Sequence, residues 1–198
     1  MENKSSDLKI LFVGPYPPPF GGISSLIKSL VEGLKDKNIE DAYVLYFGTE
    51  NRTKKVDGAT VYERSVRKNI WQLFNPLNLL LLPSLLKVYS GHKLILRDYV
   101  EIFIKAILTN NLVKKHNINT TNFYQSDYSL HLLLCKEIWK SKVSIVLQVF
   151  GELFDIDQEY VEAKKGLFLE MLKTSDALIS SSCHCADSFK LIGNEREI

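Results

Sequence analysis

The feature that most constrains this chain is a hydrophobic period that switches back and forth along its whole length. Residues 9–14 (KILFVG) form a continuous apolar run ending in glycine, the pattern of a strand buried on both faces. From Ile23 the spacing changes. Ile23, Leu26, Ile27, Leu30, Val31 and Leu34 recur at three- and four-residue steps, which predicts an amphipathic helix with one stripe on a sheet. Residues 42–47 return to a strand pattern closed by Gly48. A polar stretch follows, with a short strand expected at 59–62. Asn75 and Pro76 read as an N-cap followed by proline at the first helical position, opening a leucine-rich helix that kinks or restarts at Pro83.

The alternation continues. A strand is predicted at 93–97 (KLILR), a largely buried helix at 100–115 and a strand at 121–125. Ser126 or Asp127 then caps a helix carrying Leu130, Leu133, Leu134 and Ile138. A strand at 143–150 ends at Gly151, a helix follows at 159–173, a strand at 177–181 and a last helix at 184–192. Such alternation predicts an α/β fold: a Rossmann-like parallel sheet with helices on both faces. At 198 residues the chain suits one compact unit. In sheets of this kind ligands bind beyond the carboxyl ends of the strands. The positions to inspect are therefore 15–22, 48–50, 126–127, 151–152 and 181–182.

Composition removes several alternatives. A net charge of +2 argues against a chain whose main task is gripping nucleic acid. Three cysteines, Cys135, Cys183 and Cys185, are too few and too unevenly spaced for a secreted disulfide framework. The first residues are polar and charged, without a signal-peptide core. The most apolar run, residues 77–86, is broken by Asn78, Pro83 and Ser84 and falls short of the roughly 20 residues that span a bilayer. A cytoplasmic location is expected.

After the first strand comes GPYPPPFGG, which its prolines keep from being helical. A glycine pair opening a helix suits an anion, because the backbone can approach closely and the helix start offers free amides. The other reading, equally weighted, is a connection whose glycines serve packing. A dinucleotide site is disfavoured by the missing G-x-G-x-x-G fingerprint.

With its helix included, KILFVGPYPPPFGGISSLIKSLVEGL resembles the opening of the retaining GT-B glycosyltransferases of family four. INTTNFYQSDYSLHLLL is similar to that family's strand and helix around its fourth strand. VSIVLQVFGE stands where the family has a strand ending in His-Gly, and TSDALISSSCHCADSFKLIGNEREI resembles its aspartate, strand, serine and helix segment. The resemblance implies that residues 1–198 are the N-terminal, acceptor-side half of a GT-B fold, without the C-terminal nucleotide-sugar domain. It implies transfer of a sugar from a nucleotide-sugar to a glycan or lipid-linked acceptor with retained configuration, in polysaccharide biosynthesis. No cofactor or metal is implied, and this portion alone is expected to be inactive.

Carried over by position, the glycine-rich loop facing the interdomain cleft is Phe20, Gly21 and Gly22. The remaining cleft candidates stand at strand ends: Ser126, Asp127, Gly151, Glu152 and Ser182. Asp127 and Glu152 are candidates for acceptor hydroxyls, and each has an alternative as a helix cap. No catalytic residue is assigned. Phe150 stands in place of the family's histidine and can neither donate a hydrogen bond nor carry a proton. Either other groups line the acceptor pocket, or the protein is a degenerate module that binds a glycan or partner without turnover.

Other features are weaker. Cys183, His184 and Cys185 offer soft ligands, but no partner cluster completes a zinc site. His131 lies on an apolar helix and reads as packed; His92 and His116 read as structural or solvated. Residues 52–74 combine Arg52, Lys54, Lys55, Arg64, Arg67 and Lys68 with Trp71 and Phe74. That mixture suits peripheral contact with the anionic inner face of a membrane, or simply a solvated loop and a helix start.

Overall fold

The structure, a computed structural model, describes residues 8–16, 21–37, 39, 41–124, 129–149 and 158–180. Side chains are described from residue 165 onward in the last of these stretches. Its centre is a seven-stranded sheet in the order β3-β4-β2-β1-β5-β6-β7. The strands are β1 (Ile10–Val13), β2 (Ala42–Phe47), β3 (Arg52–Val56), β4 (Ala59–Arg64), β5 (Thr120–Tyr124), β6 (Ser144–Val149) and β7 (Ala177–Ser180). Every pairing is parallel except β3 with β4.

Strand residues alternate between two cores, as the pleat requires. Phe12, Val44, Val61 and Tyr124 face α1 (Gly22–Asp36), which lays Ile27 and Val31 on them. Leu11, Leu45, Phe123, Ile145 and Leu147 face the other way, into a larger core. Four helices contribute to it: α3 (Leu82–Tyr89), α4 (Leu96–His116), α5 (Leu132–Trp139) and α6 (Gln158–Thr174). The Rossmann-like architecture expected from the period changes is present, with helices on both faces.

Two segments differ from expectation. Residues 93–97 are not a strand: 93–95 are irregular and Leu96 already begins α4. Asp98 explains the switch, because its carboxylate accepts the Ile95 amide at 3.2 Å and starts a helix there. A five-residue apolar run carries no period long enough to tell strand from buried helix. The second difference is β3, a strand within the stretch expected to be merely polar. Arg52 to Lys55 are all exposed, as suits a charged edge strand. Its hairpin to β4 turns on Asp57 and Gly58, with φ of 54° and 92°. Both angles are positive, as the favoured two-residue hairpin turn demands.

The leucine-rich stretch does restart at its proline. A 3-10 helix (Arg67–Phe74) leads to α2 (Pro76–Leu79), whose N-cap Asn75 accepts the Leu77 amide at 3.0 Å. Pro83 stands in the first turn of α3, where its missing amide costs nothing. Among the described residues no helix is long and apolar enough to cross a membrane.

Candidate functional site

In a parallel sheet the carboxyl ends of the strands share one edge. A cavity of about 640 Å³ lies on it, beside the ends of β2 and β4. Phe47, Gly48 and Thr49 line it from β2, Ser65 to Lys68 from the exit of β4, and Glu101 and Lys105 from α4.

Lys105 is only 3% exposed, on a helix whose buried residues are mostly apolar. Its ammonium lies 2.6 Å from the Glu101 carboxylate and 5.2 Å from the centre of the Phe47 ring. A buried ammonium persists when it is paired and hydrogen-bonded, and Glu101 one turn earlier supplies that partner. The pair sets a donor and an acceptor side by side on the cavity wall, suited to a polyhydroxylated ligand. Neither residue stood out by sequence. The available signal was Glu101-Ile-Phe-Ile-Lys105, two charges at helical spacing inside an apolar run.

The loop on the other wall is held by Glu63. Its carboxylate accepts the amides of Thr49 and Glu50 at 3.1 and 3.0 Å, and the Tyr46 hydroxyl at 2.8 Å. Burial works to raise the pKa of Glu63. The Tyr46 bond and the two amides, with Arg52 nearby, outweigh it and hold the group below the ordinary glutamate range. The Tyr46 phenol is pushed up to about 12, by burial first and then by Glu63, so it remains a donor near neutral pH. Gly48 leaves the room: a methyl group there would collide with the Glu63 carboxylate.

Gly21 and Gly22 open α1 on the same edge, and both are exposed. Gly21 is extended (φ −161°), and its amide is bound by Ser24 Oγ at 2.8 Å. The amides of Gly22 and Ile23, at the first two helical positions, have no carbonyl of their own helix to bind. Gly21 brings no side chain to cap them. Packing among the described residues does not explain the pair. Among the described residues, nothing lies within 4 Å of where a Cβ at Gly22 would stand, and at Gly21 there is only Ser24 Oγ at 3.9 Å. Gly14 is the contrast, since a Cβ there would sit 2.9 Å from Tyr124 Cδ2. Tyr16 is buried and donates to Asp57 at 3.1 Å, tying the exit of β1 to the β3–β4 turn.

The other expected cleft residues, Phe20, Ser126, Asp127, Gly151, Glu152 and Ser182, lie outside the described residues, as do Phe150 and Cys183 to Cys185. Two buried amides were missed by sequence. Asn122 and Gln148 sit on β5 and β6, and their side-chain oxygens have no hydrogen-bond partner among the described residues. An amide inside the apolar run VSIVLQV was the visible sign. His131 is buried with its ring edge-on to Phe47 and Phe123, a packed histidine as expected. His116 shares a 2.7 Å hydrogen bond with the Tyr62 hydroxyl and stacks on Tyr43, which is a structural role. No group of side chains suited to a metal ion occurs among the described residues.

No protein-family model matches this chain, and no curated protein matches it in sequence. Solved structures do. The chain resembles OtsA in its apo form, with a TM-score of 0.51 and 14% identity over 92% of its length. It resembles the α,α-trehalose 6-phosphate synthase of Burkholderia multivorans, with a TM-score of 0.54 and 11% identity over 92% of its length. A third likeness is to the UDP-forming trehalose-phosphate synthase of Burkholderia xenovorans in complex with glucose-6-phosphate, with a TM-score of 0.54 and 14% identity over 94% of the chain. At such identities the likeness establishes the fold. The chain spans 42–43% of the length of those proteins.

Proposed function

We propose that this chain is the N-terminal, acceptor-side half of a two-domain GT-B glycosyltransferase of the family-four type. In this reading it transfers a sugar from a nucleotide-sugar to a glycan or lipid-linked acceptor, with retained configuration. The observation that carries the proposal is the shared carboxyl edge, where a cavity walled by Glu101 and Lys105 opens on the same side as an uncovered glycine pair at a helix start. The fold of UDP-forming synthases, matched over about two fifths of their length (42%), supports it.

Each residue then has a task. Lys105 donates to an acceptor oxygen and Glu101 accepts from an acceptor hydroxyl, both held by their mutual ion pair. The amides of Gly22 and Ile23, at the positive end of the α1 dipole, face the diphosphate as it gains charge on leaving. A second lobe would supply most of the donor contacts, so this chain alone is expected to bind nucleotide-sugar weakly and to transfer nothing. The lipid-linked form of the acceptor would place the protein at the inner face of a membrane. Phe150, in place of the family's histidine, favours a second reading in which the site binds a glycan or partner without turnover.

Thermal-shift measurement with UDP-glucose, GDP-mannose and NAD tests the class. A small stabilisation by one of the sugar nucleotides and none by NAD is expected. Strong stabilisation by NAD alone would overturn the proposal.

A further inference from the structure

The stretch between Glu63 and Asp98 departs from the rest of the chain in two ways at once. It contains no aspartate or glutamate, although the whole chain has 23. Within it stand Arg64, Arg67, Lys68, Lys87, Lys93 and Arg97. Among the described residues, every exposed large hydrophobic side chain except Ile179 also falls there, between Ile70 and Leu96. Trp71 is 55% exposed, Phe74 80% and Leu96 80%. α2 buries none of its residues, and α3 buries only Leu85 and Tyr89. These leucines are not spent on the core. Exposed apolar side chains concentrated in one stretch mark a contact with something outside the domain.

Charge identifies the partner. Glu50 pairs with Lys68 and Glu137 with Lys87, both from neighbouring elements, and Glu170 approaches His92. Arg67, Lys93 and Arg97 are exposed, with no ion pair among the described residues. A surface of aromatic and leucine side chains with cations and no carboxylates of its own fits an interface that is apolar within and anionic at its rim. A bilayer containing acidic lipids has that character, with indole and phenyl rings settling at headgroup level. The cationic segment expected by sequence, residues 52–74, is thereby moved. Its first half is the hairpin of β3 and β4, and the apolar surface begins after Arg67.

We propose that residues 67–97 form a docking surface for an anionic lipid bilayer. Trp71, Phe74 and the exposed leucines of α2 and α3 enter the boundary between headgroups and acyl chains, while Lys93 and Arg97 meet lipid phosphates. The stretch leaves the carboxyl end of β4 and returns to the start of α4, so it borders the cavity that Arg67, Lys68 and Glu101 line. Docking brings that cavity beside the headgroups. The purpose rests on the lipid-linked acceptor proposed above; the binding itself does not, because it needs no donor.

Trp71 reports on it directly. The only other tryptophan, Trp139, is 4% exposed and bonded to Asn110, so a spectral response to vesicles belongs to Trp71. The chain is mixed with vesicles of phosphatidylcholine, with or without phosphatidylglycerol, at low and high salt. Blue-shifted emission and co-sedimentation with the anionic vesicles only, lost at high salt, are expected. Lys93→Glu with Arg97→Glu should weaken binding at least about tenfold. Phe74→Ser with Leu77→Ser should abolish the blue shift in a protein of unchanged circular dichroism. Absence of salt-sensitive binding by the unaltered chain overturns the proposal. So does a concentration-dependent dimer in lipid-free buffer that shields Trp71, since a second copy would then be what covers the surface. Either failure leaves the sugar-transfer reading standing, and its failure would leave vesicle binding intact.

Discussion

Two glycines near the loop of residues 15–22 have opposite reasons to be glycine, and that difference can be measured. At Gly14 an added methyl would press on the Tyr124 ring at 2.9 Å and on Ile27 at 3.0 Å. Gly14→Ala should therefore cost about 1–3 kcal/mol, the usual range for overpacking, read as a lower denaturant midpoint with an unchanged slope. Gly22→Ala meets open space and sits at a helical position, so stability should hold or rise by up to about 1 kcal/mol. Any response to a nucleotide diphosphate should nonetheless weaken, because the new methyl stands where the anion must approach. Glu63 gives the residue scale a pH dependence. Its folded pKa is lowered, so its contribution is present above the ordinary glutamate value of 4.5 and fades as pH falls through the lower folded value. Glu63→Gln should melt at a lower temperature than the parent near neutral pH, and the gap should close in acid. A gap independent of pH would contradict the assignment.

Among the elements, α3 is held to the larger core by few contacts, and Tyr89 is chief among them. Its hydroxyl donates to the Leu130 carbonyl at 2.5 Å, and its own carbonyl accepts the Tyr99 hydroxyl at 3.1 Å. Tyr89→Phe keeps the ring and strands the carbonyl, so a loss of about 1–3 kcal/mol is expected in equilibrium unfolding. The elements also mark where sequence could and could not be read. β1, β2, β5, β6 and α1 were legible because each is buried on a regular stripe, as KILFVG and the Ile23-to-Leu34 spacing display. β3 was not, because an exposed edge strand such as RTKKV carries no apolar pattern, and only the Asp57-Gly58 turn gave it away. The start of α4 was misread because Leu94, Ile95 and Leu96 are apolar in any conformation, whereas the Asp98 cap decides the outcome. In the site, Gly21 and Gly22 stood out by their place after the first strand. Glu101 and Lys105 did not, because their role depends on β2 and β4 ending beside α4, a juxtaposition that spacing along one helix does not encode.

For the molecule as a whole, ligand recognition is assigned to one edge of one sheet, with the proposed lipid-docking stretch bordering it. On the proposed reading acceptor contacts lie on this chain and most donor contacts on a second lobe, so UDP-glucose and a soluble glycan acceptor should each bind weakly here. The most direct test is an amide-resolved NMR titration of the chain with each of those ligands and with NAD. Small, saturable shifts are expected for the sugar nucleotide at Gly22 and Ile23, shifts for the glycan at Gly48, Thr49 and around Lys105, and none for NAD. Tight NAD binding, or sugar ligands that leave all of those amides unmoved while shifting the opposite edge of the sheet, would contradict it.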